Sequence, residues 1–266
     1  WEYGTMTYGF VAESLDKAPD ADTRARILYD YQNLYIAFSA REPNLDGLKA
    51  NSGNDDRGVR QDDAVGFKLS YDSESGASGE LELWVNSGNA VFDSLKLNGS
   101  KAADVKGLKT AVNKREGVWD VEIAIPFSAL GVDLPRFGEI WNINFMRERY
   151  GSARESSSWL DPKTQGEIRF GRDMVVYLYS KRPFHASDEI MGFNFAHQVK
   201  YYEGEYINTD GNIVQEIPIQ LGPGHRRQHY RMGSLEKGNM YYVIVRKVES
   251  TLGEDDVVMV MPRPQW

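Results

Sequence analysis

The sequence predicts an all-β chain, a β-sandwich followed by a small all-β domain, and three observations predict it. Apolar residues recur with period two in short runs, turn-forming residues separate those runs at even spacing, and helical periodicity is scarce. Residues 117–148, GVWDVEIAIPFSALGVDLPRFGEIWNINFMRE, show all three. Trp119, Val121, Ile123 and Ile125 share one parity, and Val118, Asp120, Glu122 and Ala124 the other, so this is a half-buried strand. Pro126 lacks the amide proton a central ladder needs and closes the strand; residues 127–130 can form one helical turn before Gly131 breaks it. A second alternating strand follows, with Trp141, Ile143 and Phe145 toward the core and Asn142 and Asn144 facing out.

The remaining strands of the sandwich are expected at 25–29, 34–40, 64–71, 80–86, 90–95, 108–113 and 174–179. Segments 44–60 and 150–158 are polar, small and aperiodic and read as long loops, the places where sandwiches carry binding sites. A second unit begins after Lys181-Arg182-Pro183, giving expected domains of 1–182 and 183–266. Its strands are expected at 193–202, 213–221, 239–248 and 257–261, with Thr209-Asp210-Gly211-Asn212 as a hairpin turn.

Composition excludes several chemistries. The formal net charge of −8 opposes nonspecific binding to nucleic acid or anionic lipid, both of which need a basic surface. The absence of cysteine removes disulfides and thiol chemistry. The longest apolar runs, 174–179 and 257–261, are far too short to span a bilayer. No basic, apolar leader precedes Trp1, so a signal peptide would lie outside this sequence, and the chain reads as a piece of a longer protein.

All four histidines, His185, His197, His225 and His229, fall in or just before the second unit. A histidine-activated nucleophile or a histidine–cysteine zinc site therefore cannot be assembled in the first unit alone. No phosphate-cradling glycine loop occurs. The adjacent carboxylates Asp55-Asp56, Asp62-Asp63 and Asp255-Asp256 are the visible acidic pairs. Neighbours on a strand point to opposite faces, so a pair does not make a glycosidase dyad. Asp62 or Asp63 reads as a strand-start residue capping loop amides; a structural calcium held by Asn54, Asp55, Asp56, Asp62 and Asp63 is the alternative.

In 80–86, ELELWVN, the residues Leu81, Leu83 and Val85 fill the inward parity and leave Trp84 outward beside Glu80 and Glu82. A flat ring there either stacks on the C–H face of a pyranose or packs under a loop. Trp159, between Ser156-Ser157-Ser158 and Leu160-Asp161-Pro162, reads as a loop tryptophan, either a ligand platform or a structural residue. The basic cluster 225–231, HRRQHYR, reads as a solvated loop or as a docking patch for an acidic glycan.

The "E-x-A-I-P" strand end, the "ALG" turn and the Gly-x-x-Trp-x-x-Asn-Phe strand with Arg close behind resemble the family 9 carbohydrate-binding module. The hairpin RILYDYQNLYIA at 26–37, the acidic strand QDDAVGFKL at 61–69 and the segment 156–171 stand in that family's order, over roughly the first two thirds of the chain. The resemblance implies a noncatalytic module that binds an oligo- or polysaccharide, within a larger secreted bacterial protein located extracellularly or in the periplasm, with the parent's other domains as partners. It implies a sugar-stacking role for Trp159 and a hydrogen-bonding role for Asn144.

Two departures stand against it: Arg60 replaces the first clamp tryptophan, and Gly66 falls where the family has an acidic residue. Trp84 could replace the lost platform, and Arg60 could meet a uronate carboxylate. The expected ligand set is Trp159, Trp84, Asn144, Arg60, Arg147 and Asp63. A sandwich that has lost sugar binding and serves structure or protein interaction is the alternative. A haem-binding electron-transfer domain ranks third, because related sandwiches hold b-type haem and only Met6, Met146 and Met174 offer axial ligands.

Overall fold

The computed structural model describes residues 1, 7, 10–13, 19–54, 57–101, 104–136, 138–151 and 154–170, together with the backbone of strands at 5–6, 176–179, 183–185, 189–194, 200–208, 213–221, 227–230, 240–247 and 258–263. The chain divides into two compact units, Trp1–Glu13 with Pro19–Ser180, and, for its main part, Lys181–Trp266. Among the described residues no helix is long and apolar enough to cross a membrane.

The first unit is an antiparallel β-sandwich. One sheet is ordered β1 (Thr5–Met6), β3 (Thr23–Tyr29), β4 (Asn33–Arg41), β10 (Val118–Pro126) and β9 (Lys109–Arg115). The other is ordered β14 (Val176–Tyr179), β13 (Gly166–Phe170), β11 (Ile140–Arg149), β5 (Ala64–Asp72), β6 (Ser78–Asn86), β7 (Val91–Leu97) and β8 (Ser100–Lys101). β12 (Glu155–Ser158) pairs with the far half of β11 and with β2 (Val11–Ala12).

Alternation builds the core. β3 buries every second residue, and the odd residues of β5, β6 and β11 point inward to meet Ile27, Ile36, Phe38, Val121 and Ile123 of the first sheet. Phe38 and Phe145 join the sheets edge to face, 5.8 Å between centroids, and Trp141 packs against Phe170 at 4.8 Å. Trp119 and Trp141 are fully buried, as their parity requires. Pro126 ends β10, and Phe127–Leu130 forms a single 3-10 turn stopped by Gly131 at φ 67°, a left-handed conformation that suits glycine.

The expected loop at 150–158 is corrected at its end. Residues Glu155–Ser158 form β12, because the unpaired edge of β11 beyond Ile143 takes them as a strand with Met146 opposite Ser158 and Arg149 opposite Glu155.

The second unit is also all-β, by its described strands. One sheet runs β15 (Pro183–His185), β20 (Met240–Lys247), β17 (Lys200–Asn208), β18 (Ile213–Leu221), and another β19 (Arg227–Tyr230), β16 (Glu189–Asn194), β21 (Val258–Arg263). β17 and β18 pair as a hairpin with a register shift at Tyr206/Ile207, and the turn at 209–212 lies outside the described residues. Two expectations are corrected: 193–202 belongs to two strands, β16 and β17, and the basic cluster contributes β19, since alternate pairing with β16 satisfies its backbone. His197, His225, Met174, Asp55 and Asp56 lie outside the described residues.

Candidate functional site

The outward, even-numbered side chains of β11, β5, β6 and β7 make one face of the second sheet. Register places Phe92, Trp84, Gly66 and Met146 in one row across four strands, and Ser94, Glu82, Lys68 and Asn144 in the next. Over the first row lies the 3-10 turn Arg57–Gln61, which sets Val59 into an apolar cluster with Ala64, Trp84, Phe92 and Met146. Beside that cover a cleft of about 590 Å³ opens, lined by Arg57, Arg60, Lys68, Glu82, Trp84, Glu148, Ser156 and others. That volume falls in the range of small-molecule sites.

Trp84 faces outward by parity but is only 4% exposed. Its indole lies on the Gly66 backbone: a Cβ at Gly66 would stand 2.5 Å from Trp84 Cδ2. Its Nε1 donates to Glu82 Oε1 at 2.9 Å. The exposed stacking platform expected here is therefore corrected, since Val59 covers the ring and little of it reaches the cleft. Gly66 is explained by the same contact: any larger residue would displace the indole.

Arg60 does reach the cleft. Its side chain is 39% exposed, Nη1 donates to Glu82 Oε1 at 2.9 Å, and the guanidinium lies 5.3 Å from the Phe92 ring centroid. Arg60 and Trp84 thus meet on one carboxylate oxygen of Glu82, a residue that the sequence reading noted only as a neighbour of Trp84.

The other four expected ligands lie elsewhere, and for each the physical reason is burial. Trp159 is 3% exposed; its backbone N–H bonds the Phe145 carbonyl, so it continues the inward parity of β12 and packs on Phe145 at 5.8 Å. Asn144 is 1% exposed, with its amide nitrogen donating to the Leu160 and Asp161 carbonyls and Oδ1 accepting from Leu160 N. It holds the 160–161 segment down. Asp63 accepts from the backbone of Lys49, Tyr150 and Gly151, and Asp62 from Asn51, Ser52 and the Asn86 amide. Burial pushes the Asp62 carboxyl up, but these donors together hold it below its ordinary value. The acidic pair clasps the 49–52 and 150–151 loops and the end of β6, in line with the reading of these residues as caps of loop amides. Gly151 allows it, because a Cβ there would sit 1.8 Å from the Gly47 carbonyl.

Arg147 shares the inward parity of Trp141 and Phe145 and is fully buried at the end of the sandwich. It donates to the carbonyls of Ala21, Asp22 and Arg41 and to Thr23 Oγ1, and lies 3.5 Å from Glu42. Burial first, then the charge of Arg149, bring it down to about 10. Arg147 ties β3 and β4 to β11.

Among the described residues no group of three or more His, Cys, Asp or Glu is arranged to hold a metal ion. Asn54 Oδ1 accepts from Val91 N, and Met146 packs in the cluster under Val59.

Glu148 is a partly buried carboxylate of the cleft. Burial raises it above the ordinary carboxylate range, against a hydrogen bond from Ser156 Oγ. A carboxyl raised on folding binds its proton more tightly in the folded state, so ionising it costs stability as pH rises from about the unfolded value through the folded one. Glu148→Gln is therefore expected to raise the melting temperature at neutral pH and to leave it unchanged near pH 4, in thermal melts run at both.

No family model matches the chain. A solved family 9 carbohydrate-binding module from Caldicellulosiruptor kristjanssonii, in complex with glucose, superposes with TM-score 0.47 and 18% identity, covering 65% of this chain and 87% of that one. Its cellotriose complex gives TM-score 0.45 and 18% identity over 65% and 86%. Among curated proteins, the tRNA uridine 5-carboxymethylaminomethyl modification enzyme MnmG of Treponema denticola is 26% identical over 99 residues, 37% of this chain. The chain matches 16% of that enzyme's length.

Proposed function

We propose that the first unit is a noncatalytic carbohydrate-binding module that takes a glycan into the cleft on the outer face of its second sheet. The observation that carries this is the cleft itself, walled by the Arg60–Glu82 pair, Lys68 and the β12 serines beside an apolar patch. Planar and charged donors next to hydroxyl acceptors suit the paired hydroxyls of a sugar ring. The segment resemblance supplies the ligand class. Recognition here rests on hydrogen bonds more than on stacking, because Trp84 offers only a fringe of its ring. The buried use of Asp62 and Asp63 on backbone amides supports the noncatalytic reading. The module belongs to a larger secreted bacterial protein, outside the cell or in the periplasm.

A glycan array followed by calorimetry tests the reading. Arg60→Ala is expected to weaken the best array ligand about tenfold, the value of one charged hydrogen bond. The burial of both Trp84 and Trp159 favours a second reading, a structural or interaction sandwich. An array on which no glycan binds would favour that one.

A further inference from the structure

Lys68 is a half-buried cation in the second sheet of the first unit. It lines the cleft from the middle of β5, and among the described residues its ammonium has no ion pair and no hydrogen bond. Its natural partner is Glu82, directly opposite across β5 and β6. That carboxylate is engaged by other donors, with Oε1 accepting from both Arg60 Nη1 and Trp84 Nε1 at 2.9 Å. On the other side of Lys68 stands Asn144, whose amide is spent on Leu160 and Asp161. The sheet therefore sets in the cleft wall a positive charge that neither of these cross-strand neighbours bonds.

Resting on the glycan reading above, we infer that Lys68 receives a single anionic substituent of the sugar, a uronate carboxylate or a sulfate ester. Arg57, exposed on the same cleft, adds a second cation. Glu13 and Glu148 also line the cleft, and the chain carries −8 overall, so a dense polyanion is repelled. Screening over about 8 Å at physiological salt confines the attraction to a group placed beside Lys68. The site thus selects a sparsely charged glycan, neutral sugars bearing one acid, over a polyuronate.

Calorimetry with three probes tests this: xylotriose, xylotriose bearing one glucuronate, and singly sulfated xylotriose. One of the charged probes is expected to bind about tenfold or more tighter than the neutral one, the preference weakening with added salt. Whichever charged probe binds names the anion. Lys68→Met is expected to abolish the preference, so that the charged probe binds no tighter than xylotriose does to the same variant, while Lys68→Arg keeps the preference; Lys68→Gln replaces the methionine variant if that one fails to fold. Equal affinity for all three probes with no effect of Lys68→Met would overturn the inference and leave the glycan reading standing. A protein that binds none of the three, nor any glycan on the array, overturns both.

Discussion

Glu42→Gln is expected to cost about 3–5 kcal/mol of unfolding free energy, the penalty for stranding buried charge. Glu42 is 1% exposed and stands just past β4, in the first sheet, with Arg147 and Arg149 of β11 both on its carboxylate. Arg149 Nε lies 2.9 Å away and Arg147 Nη2 3.5 Å. Removing the negative charge keeps the shape but leaves two guanidinium groups together, one wholly buried and one 7% exposed, with Glu155 still paired to Arg149. Arg147→Met is the milder change. It deprives three carbonyls and Thr23 of donors, yet Glu42 keeps Arg149, and the buried Nε of Arg147, which has no partner, goes with it. A cost of about 1–3 kcal/mol follows. Urea unfolding midpoints of the two variants at neutral pH decide the matter: the reverse order would mean that the carbonyl bonds, and not the charge balance, close this end of the sandwich.

The sequence was legible where a residue's fate depends on its own strand. Period two assigned Trp119, Trp141 and Phe145 to the core, and they are fully buried. The same parity extends to Arg147, so its burial could be read from β11, whereas its partner Glu42, 105 residues earlier, could not. Trp84 and Asn144 face outward as alternation requires; what covers them comes from elsewhere. Val59 in the turn before β5 covers the indole, and Leu160 and Asp161 cover the amide. Alternation reports the face of a sheet and is silent about what lies on that face. Trp159 lies just past β12 as the structural residue of its two readings, and its burial was hidden for another reason. A serine run has little strand propensity, so β12 was concealed until the open edge of β11 was known to need a partner. Arg60 keeps a place at the cleft because its own carboxylate partner, Glu82, is itself on the outward face.

Gly66→Ala is expected to destabilise the sandwich by about 3 kcal/mol, although alanine suits an extended strand as well as glycine does. The cost is steric. A Cβ would stand 2.5 Å from the Leu83 carbonyl and 2.5 Å from Trp84 Cδ2, and the first of these is backbone of the paired strand, which cannot move without opening the ladder. The indole can move, and only outward, against Val59 and toward the cleft. Gly66→Ala should therefore shift tryptophan emission to the red while the urea midpoint falls. In a Trp84→Ala background the ring clash is gone and the carbonyl clash remains, so the second substitution should cost less there, and the difference isolates the ring's share. Loss of the Arg60–Glu82–indole bond set would accompany any such shift, because Glu82 Oε1 holds both donors. Glycan affinity is thus expected to fall in Gly66→Ala together with the red shift. A variant with unchanged emission and unchanged midpoint would show that the indole does not rest on Gly66, and that the cleft floor is built differently.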